Sequence, residues 1–210
     1  MRRFLYENSL SIVMLGLFVL FLAGQLVFGW MEYNSSHPLA LSEYVTSGEF
    51  IEATFENWES EFLQMAVFVI LTKWLRQWGS SESKPPYGKD AVDEDPRKHR
   101  HDPKAPWPVR KGGLVLRLYE HSLSASLLLL FAFSFGMHAL GGARQQIEEG
   151  RAITTLQYMA TPKFWFESFQ NWQSEFLSVG ALILLSIYLR ERGSPQSKPV
   201  AKEHWKSEDE

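Results

Sequence analysis

The chain repeats itself at a nearly constant spacing, and this constrains its fold more than any other feature. Tyr6-Glu7-Asn8-Ser9-Leu10-Ser11 returns 113 residues later as Tyr119-Glu120-His121-Ser122-Leu123-Ser124. Asn57-Trp58-Glu59-Ser60-Glu61-Phe62-Leu63 returns 114 residues later as Asn171-Trp172-Gln173-Ser174-Glu175-Phe176-Leu177. The pattern Leu-Arg-x-x-Gly-Ser-x-x-Ser-Lys-Pro occurs at 75–85 and again at 189–199. These matches predict two copies of one structural unit.

Each copy contains two apolar segments. Residues 10–30 and 123–143 form the longer pair, and 10–30 carries no charged side chain. The shorter pair covers residues 62–72 and 176–189. A helix needs about 20 apolar residues to cross a hydrocarbon core of about 30 Å. We therefore predict an all-α membrane protein with four transmembrane helices, built as two tandem helical hairpins.

Lysine and arginine are distributed unevenly between the predicted loops. None lies within 31–62, whereas eleven lie within 73–117. Because cytoplasmic loops are enriched in these residues, we expect both termini and the central linker to be cytoplasmic, in a bacterial inner membrane. The two copies would then be parallel repeats. The apolar run after Met1-Arg2-Arg3 is read as an uncleaved span, since its copy lies in mid-chain.

The composition suggests four regions along the chain. They are a first two-span repeat at 1–78, a linker at 79–113, a second repeat at 114–192 and a polar tail at 193–210. The linker contains six prolines and many charges, so we expect it to be extended or disordered. Its basic run at 97–101 is either a solvated tether or a contact for anionic lipid headgroups.

The start of the second helix in each copy is also predicted. Ser47-Gly48-Glu49-Phe50 and Thr161-Pro162-Lys163-Phe164 occupy equivalent positions. Serine and threonine are good N-caps, and proline favours the first helical position. Helices of about 28 residues should therefore begin here and extend beyond the membrane core.

A polar stripe recurs near the outer end of these helices. Asn57, Ser60, Glu61 and Gln64 lie at i, i+3, i+4 and i+7, as do Asn171, Ser174, Glu175 and Ser178. A carboxylate that faces lipid is costly, so the stripe should point inward. It could be a structural polar clamp between helices, a cation or proton site, or an interfacial row.

Other repeated polar residues lie near both ends of the spans. Glu7 and Glu120 could pair with Arg76 and Arg190 at the cytoplasmic edge, chiefly as structural anchors. Gln25 and His138 occupy equivalent intramembrane positions, where a hydrogen-bonding role is favoured over a metal site because the twin of the histidine is glutamine. Several glycines would allow close helix contact, namely Gly24, Gly29, Gly136, Gly141 and Gly142.

No motif indicates catalysis. The chain has no cysteine, and it lacks a phosphate-binding glycine loop, an H-E-x-x-H motif and a nucleophile elbow. We therefore expect no catalytic residues, no cofactor and no metal, although an intramembrane enzyme built from scattered polar residues stays open. The expected partners are the lipid bilayer and a second copy or another membrane protein, not nucleic acid.

The repeated motifs together resemble a family of uncharacterised bacterial four-span membrane proteins, a domain-of-unknown-function family. Residues 55–65 are the most specific part of this resemblance. It implies an all-helical membrane protein and brings no activity or site residues. The leading functional hypothesis is a small non-enzymatic membrane protein for assembly or envelope maintenance. The alternative is a transporter or channel component with a cation or proton site at the polar stripe.

Overall fold

The computed structural model describes residues 2–88 and 90–205, and all regular secondary structure in these ranges is helical. The all-α prediction is therefore confirmed for this part of the chain. Lys89 in the linker and 206–210 in the predicted tail lie outside it. The α-helices are α1 Arg2–Glu7, α2 Ser9–Ser36, α3 Leu41–Tyr44, α4 Gly48–Leu71, α5 Trp107–Lys111, α6 Gly113–Glu120, α7 Ser122–Glu148, α8 Thr155–Met159 and α9 Pro162–Tyr188.

The first repeated motif specifies the same helix break in both copies. The break falls at Asn8, with φ −119° and ψ 14°, and at His121, with φ −118° and ψ 8°. The following serine donates to a tyrosine carbonyl in each copy, Ser9 to Tyr6 and Ser122 to Tyr119, both at 2.9 Å. Each long apolar helix thus follows a short helix after a single non-helical residue.

The predicted starts of α4 and α9 are confirmed. The backbone N–H of Phe50 donates to Ser47 Oγ, and that of Phe164 donates to Thr161 Oγ1, both at 3.3 Å. These contacts satisfy backbone donors that a helix start leaves unpaired. The helices contain 24 and 27 residues, so α4 is somewhat shorter than the sequence suggested.

The third repeated motif closes the C-terminal ends of α4 and α9. Arg76 donates to three backbone carbonyls at 3.0–3.3 Å, and Arg190 donates to the three equivalent carbonyls at 2.7–3.1 Å. The hydroxyls of Ser83 and Ser197 accept backbone N–H groups at 2.8 and 2.9 Å. Arg190 therefore caps the end of α9, and Arg76 binds the turn that directly follows α4.

Two helices, α2 and α7, are long and apolar enough to cross a membrane. The structure thus supports two candidate spans in the described residues, and the prediction of four spans is not confirmed. The difference lies in the polar content of the other two long helices. The helix α4 carries five glutamates, namely Glu49, Glu52, Glu56, Glu59 and Glu61, and α9 carries Lys163, Glu167 and Glu175.

The linker is folded, which corrects the expectation of an extended or disordered segment. Short 3-10 turns form at Ala91–Asp93 and Pro96–His99, and α5 packs against α6. Aspartate side chains start these turns, because Asp90, Asp95 and Asp102 each accept the backbone N–H two residues later at 2.8–3.0 Å. A hydrogen bond from Lys84 holds the pKa of Asp93 below its ordinary value.

The contacts divide the chain into two compact units. Unit 1 comprises Met1–Phe55 and Gly136–Phe164, and unit 2 comprises Glu56–Phe135 and Trp165–Glu210. Each unit takes segments from both sequence repeats. The repeat boundaries therefore stay a prediction about the origin of the chain rather than a description of its compact units.

Candidate functional site

In unit 1, two glycines allow α4 and α7 to cross with their backbones in contact. A Cβ on Gly141 would lie 2.4 Å from the backbone nitrogen of Glu52. A Cβ on Gly48 would lie 2.1 Å from the backbone nitrogen of Gln145. Small residues permit such close approach between membrane helices. The crossing brings the polar side chains of the two helices together.

The two repeats place a tyrosine on a glycine in the same way. Tyr44 and Tyr158 are equivalent residues, 3% and 1% exposed. A Cβ on Gly29 would lie 2.5 Å from the Tyr44 hydroxyl, and a Cβ on Gly142 would lie 2.2 Å from the Tyr158 ring. The expected close contacts are thus confirmed for Gly29, Gly141 and Gly142. By contrast, nothing lies within 4 Å of a Cβ on Gly24 or Gly136.

The buried carboxylate of Glu52 lies beside Tyr158. The Glu52 side chain is 7% exposed, and its Oε1 accepts hydrogen bonds from the Tyr158 hydroxyl and, at 3.1 Å, from Lys163 Nζ. Lys163 also donates to Gln145 Oε1 at 3.1 Å and is 44% exposed. The partly exposed lysine thus offsets the negative charge of the buried Glu52. We call Glu52, Tyr158, Lys163 and Gln145 the polar cluster.

The intramembrane polar residues predicted from the sequence lie in the same unit. His138 is fully buried, its ring is stacked on Phe164 with centroids 4.6 Å apart, and a ring nitrogen lies within 4.8 Å of a Glu52 carboxylate oxygen. Gln25, its equivalent in the first copy, donates to Thr54 Oγ1 at 3.2 Å. The histidine and the carboxylate are the groups here that could exchange a proton or ligate a metal ion.

The other tyrosine has a different electrostatic setting. Burial raises the pKa of Tyr44 to about 12, and the negative charge of Glu49 adds to this effect. A cavity of about 250 Å³ close by is lined by acidic side chains, among them Glu32, Glu148 and Glu149. Glu148 accepts the backbone N–H of Gly48 at 3.1 Å. In unit 1, therefore, the Tyr158 hydroxyl binds a carboxylate, whereas the Tyr44 hydroxyl keeps its proton to a higher pH than an ordinary tyrosine.

In unit 2, the prediction of an inward-facing polar stripe is wrong for several members. Ser60 and Gln64 are buried, but Asn57 and Glu61 are exposed. In the second copy Asn171 and Glu175 are half-buried, and Ser174 and Ser178 are exposed. The serines are satisfied within their own helix, since Ser60 donates to the Asn57 carbonyl at 2.7 Å and Ser174 to that of Asn171 at 2.8 Å.

The buried carboxylate of this region is Glu59 rather than Glu61. Glu59 is fully buried, and its Oε1 accepts the hydroxyl of Ser168, also fully buried, at 2.8 Å. Sequence reasoning passed over Glu59 and Glu52 because their repeat equivalents are Gln173 and Phe166. Their spacing of seven residues, which places both on one face of α4, was the available signal.

The residues predicted at the cytoplasmic edge have local partners. Glu7 pairs with Arg3 at 2.7 Å, one turn earlier in α1. Arg76 binds the turn after α4, and Arg190 caps α9 rather than binding Glu120. Glu120 lines a surface cavity of about 800 Å³ together with His121, which lies 3.4 Å from Lys73 Nζ.

Comparison with known proteins places the chain in one family. Residues 1–209 match the family described as "Domain of unknown function (DUF6766)", so the chain belongs to it. No curated protein and no solved structure matches the chain.

Proposed function

We propose that this family member is a non-enzymatic integral membrane protein in which α2, α4, α7 and α9 all cross the bilayer. The observation that carries the proposal is the surface of α2, which has no buried residue. Large apolar side chains cover it, and Leu10, Phe21 and Phe28 are 75%, 68% and 72% exposed. A helix whose large apolar side chains are exposed along its whole length is unfavourable in water and favourable in lipid.

The shorter apolar segments support the same environment. In α4 the polar Glu59, Ser60 and Gln64 are buried, whereas the apolar Met65 and Leu71 are 46% and 42% exposed. In α9, Leu177, Leu184 and Leu185 are likewise exposed. Buried polar and exposed apolar side chains on one helix reverse the pattern of a water-soluble protein.

The lengths of α4 and α9 are compatible with crossing. At 1.5 Å per residue they are roughly 36 and 40 Å long, and a hydrocarbon core is about 30 Å thick. Counting about 20 residues back from Leu71, the crossing part of α4 would begin near Glu52. Residues 31–62 carry no lysine or arginine, which supports the proposed orientation with both termini cytoplasmic in a bacterial inner membrane.

Within such a protein, the polar cluster acts as a clamp between helices. Any helix arrangement that breaks the hydrogen bonds of the buried Glu52 carboxylate leaves polar groups unpaired, which costs free energy. The cluster therefore favours the one arrangement in which these bonds form. Lys163 and Tyr158 both bind Glu52, so the clamp joins the start of α4 to α8 and α9 residues of unit 1. This supports a role in assembly or envelope maintenance through a defined membrane bundle.

Topology can be tested by single cysteines, because the natural chain has none. We expect Ser35→Cys and Ala152→Cys to react with a membrane-impermeant maleimide in intact cells. Ala91→Cys and Ala201→Cys should react only after permeabilisation. All four positions are exposed, so accessibility reports sidedness. If Ala91→Cys and Ser35→Cys react on the same side, α4 does not cross and the four-span proposal fails.

A cation or proton site is the second candidate function. The observation that favours it is that both copies carry a glutamate at this position, Glu61 and Glu175, and that both residues lie in unit 2. Two nearby carboxylates are relieved by sharing a proton or a cation. Glu61→Gln/Glu175→Gln should abolish ion flux in reconstituted vesicles, whereas Glu59→Gln should mainly reduce stability. Flux that survives the double substitution would exclude this site.

A further inference from the structure

The folded linker encloses a cavity of about 570 Å³ in unit 2. The cavity lies between the 3-10 turn Pro96–His99, α5 and α6. Its lining includes three arginines, Arg97, Arg100 and Arg117, and one acidic residue, Glu120. The charged groups around it therefore favour an anion.

The arginines retain donors for a ligand. The contact of Arg97 with Asp95 is 4.0 Å long and highly exposed, so it contributes little. Arg100 and Arg117 make no side-chain hydrogen bond or ion pair with any described residue. The Arg100 guanidinium lies against Gly112, where a Cβ would be 3.6 Å from its Cζ. A guanidinium offers five donors in a planar fork that fits phosphate oxygens.

One wall of the cavity continues into an exposed apolar surface. In α6, Leu116 is buried, whereas Leu114 and Leu118 are 75% and 73% exposed. Trp107 at the start of α5 is 57% exposed. The helix α6 ends at Glu120, and only His121 separates it from the candidate span α7. A short amphipathic helix beside a span, with exposed leucine and tryptophan, suits the boundary between headgroups and acyl chains.

We propose that this cavity binds the phosphate of an anionic phospholipid headgroup, with Arg100 and Arg117 as its principal donors. Leu114, Leu118 and Trp107 would contact the acyl region of the same leaflet. The single carboxylate of Glu120 at the rim matches a ligand of low charge rather than a polyanion. The inference rests on the proposed membrane location, and its test does not depend on topology.

The test uses the purified full chain in a neutral detergent. Binding of dioleoyl phosphatidylglycerol is measured by native mass spectrometry across a lipid titration. Arg100→Gln/Arg117→Gln should weaken binding about 30-fold, since each basic residue near an anionic surface contributes roughly a fivefold factor. The matched control is Arg110→Gln/Arg192→Gln, which removes two exposed arginines that do not line the cavity. It should change binding less than about twofold.

A second variant separates geometry from charge. Arg100→Lys/Arg117→Lys keeps the charge but loses the planar fork, so binding should fall between wild type and the glutamine variant. Equal losses in the cavity variant and the control would overturn the proposal, as would equal binding of phosphatidylcholine. Inorganic phosphate that binds as tightly as the lipid would also overturn it, by indicating a free-anion site. Failure of the cysteine test would instead overturn the four-span proposal alone.

Discussion

The two equivalent tyrosines of unit 1, Tyr44 and Tyr158, each pack on a glycine but differ in the charged groups around them. We call the two sites the tyrosine corners. Tyr44 lies on Gly29 in the first copy and Tyr158 lies on Gly142 in the second. The hydroxyl of Tyr158 donates to the buried Glu52, whereas Tyr44 lies near Glu49 and has its pKa raised to about 12. The duplication therefore preserved a shape and let the charges around it diverge.

This difference distinguishes contacts that determine packing from contacts that depend on charged groups. Contacts that both copies share, such as tyrosine on glycine, the helix break and the arginine cap, are explained by packing and by backbone hydrogen bonding. The polar cluster has no counterpart related by the repeat, because the equivalents of Glu52 and Lys163 are Phe166 and Glu49. It joins the buried Glu52 of the first copy to side chains of the second. The shared contacts should therefore respond to changes of volume, and the polar cluster to changes of hydrogen bonding or charge.

The largest expected effect is on the helix crossing. Gly141→Ala places a Cβ 2.4 Å from a backbone nitrogen, which no side-chain rotation can relieve. We expect a loss of about 3 kcal/mol in the free energy of unfolding, at the upper end for overpacking. The measurement is unfolding in mixed micelles titrated with SDS, followed by circular dichroism. Gly24→Ala, which meets nothing within 4 Å, is the control. Equal stability of the two variants would contradict the crossing.

Removing one hydroxyl from each corner compares them directly. Tyr158→Phe takes a donor from the buried Glu52, and we expect a loss of about 2 kcal/mol, typical of a hydrogen bond to a charged group. Tyr44→Phe removes the equivalent hydroxyl, for which the described residues provide no side-chain partner, so we expect less than about 0.5 kcal/mol. The same SDS titration measures both. Equal losses would mean that Glu52 does not distinguish the corners.

A smaller effect is expected at the intramembrane polar pair of the first copy. Gln25→Leu removes the hydrogen bond to Thr54 and should lower the free energy of unfolding by about 0.6 kcal/mol, the average for such bonds in membranes. Thr54→Val tests the same bond from the other side. If the double variant loses the sum of the two single effects, the side chains are not coupled.

The last effect is absent at neutral pH and appears only in alkaline solution. The folded chain keeps the Tyr44 proton up to about pH 12, whereas an ordinary tyrosine releases it near pH 10.0. The free energy of unfolding should therefore fall as pH rises from 10.0 to about 12, because the unfolded chain binds fewer protons there. The difference in phenolate absorbance between wild type and Tyr44→Phe reports this titration. A midpoint near 10 would show that burial does not hold the phenol neutral.

The sequence predicted local structure better than side-chain direction. Ser47 and Thr161 revealed the starts of α4 and α9, and Gly29, Gly141 and Gly142 revealed close contacts, because these features depend on few neighbouring residues. The inward direction assigned to Glu61 was wrong, since i, i+3 and i+4 spacing groups residues on a face without saying which way the face points. Tertiary contacts decide that direction.

Comparison of the two copies also failed to single out Glu52, the buried carboxylate of unit 1. Selecting residues that both copies share discards Glu52, whose equivalent is Phe166. The linker was misjudged for a different reason. Proline and charge content indicated an extended segment, but the aspartates at 90, 95 and 102 supply turn-forming hydrogen bonds that average composition does not reveal.

The ion pair between Glu52 and Lys163 involves a position at which the two copies carry opposite charges. Position 163 is equivalent to position 49, which holds glutamate in the first copy. In a symmetric dimer of identical hairpins both positions would carry the same side chain, so a lysine gained opposite Glu52 would appear at both. In one polypeptide that contains both copies, the two equivalent positions can carry opposite charges, as Glu49 and Lys163 do. The ion pair between Glu52 and Lys163 thus depends on a position at which the two copies differ in charge, and it makes the surroundings of Tyr158 unlike those of Tyr44.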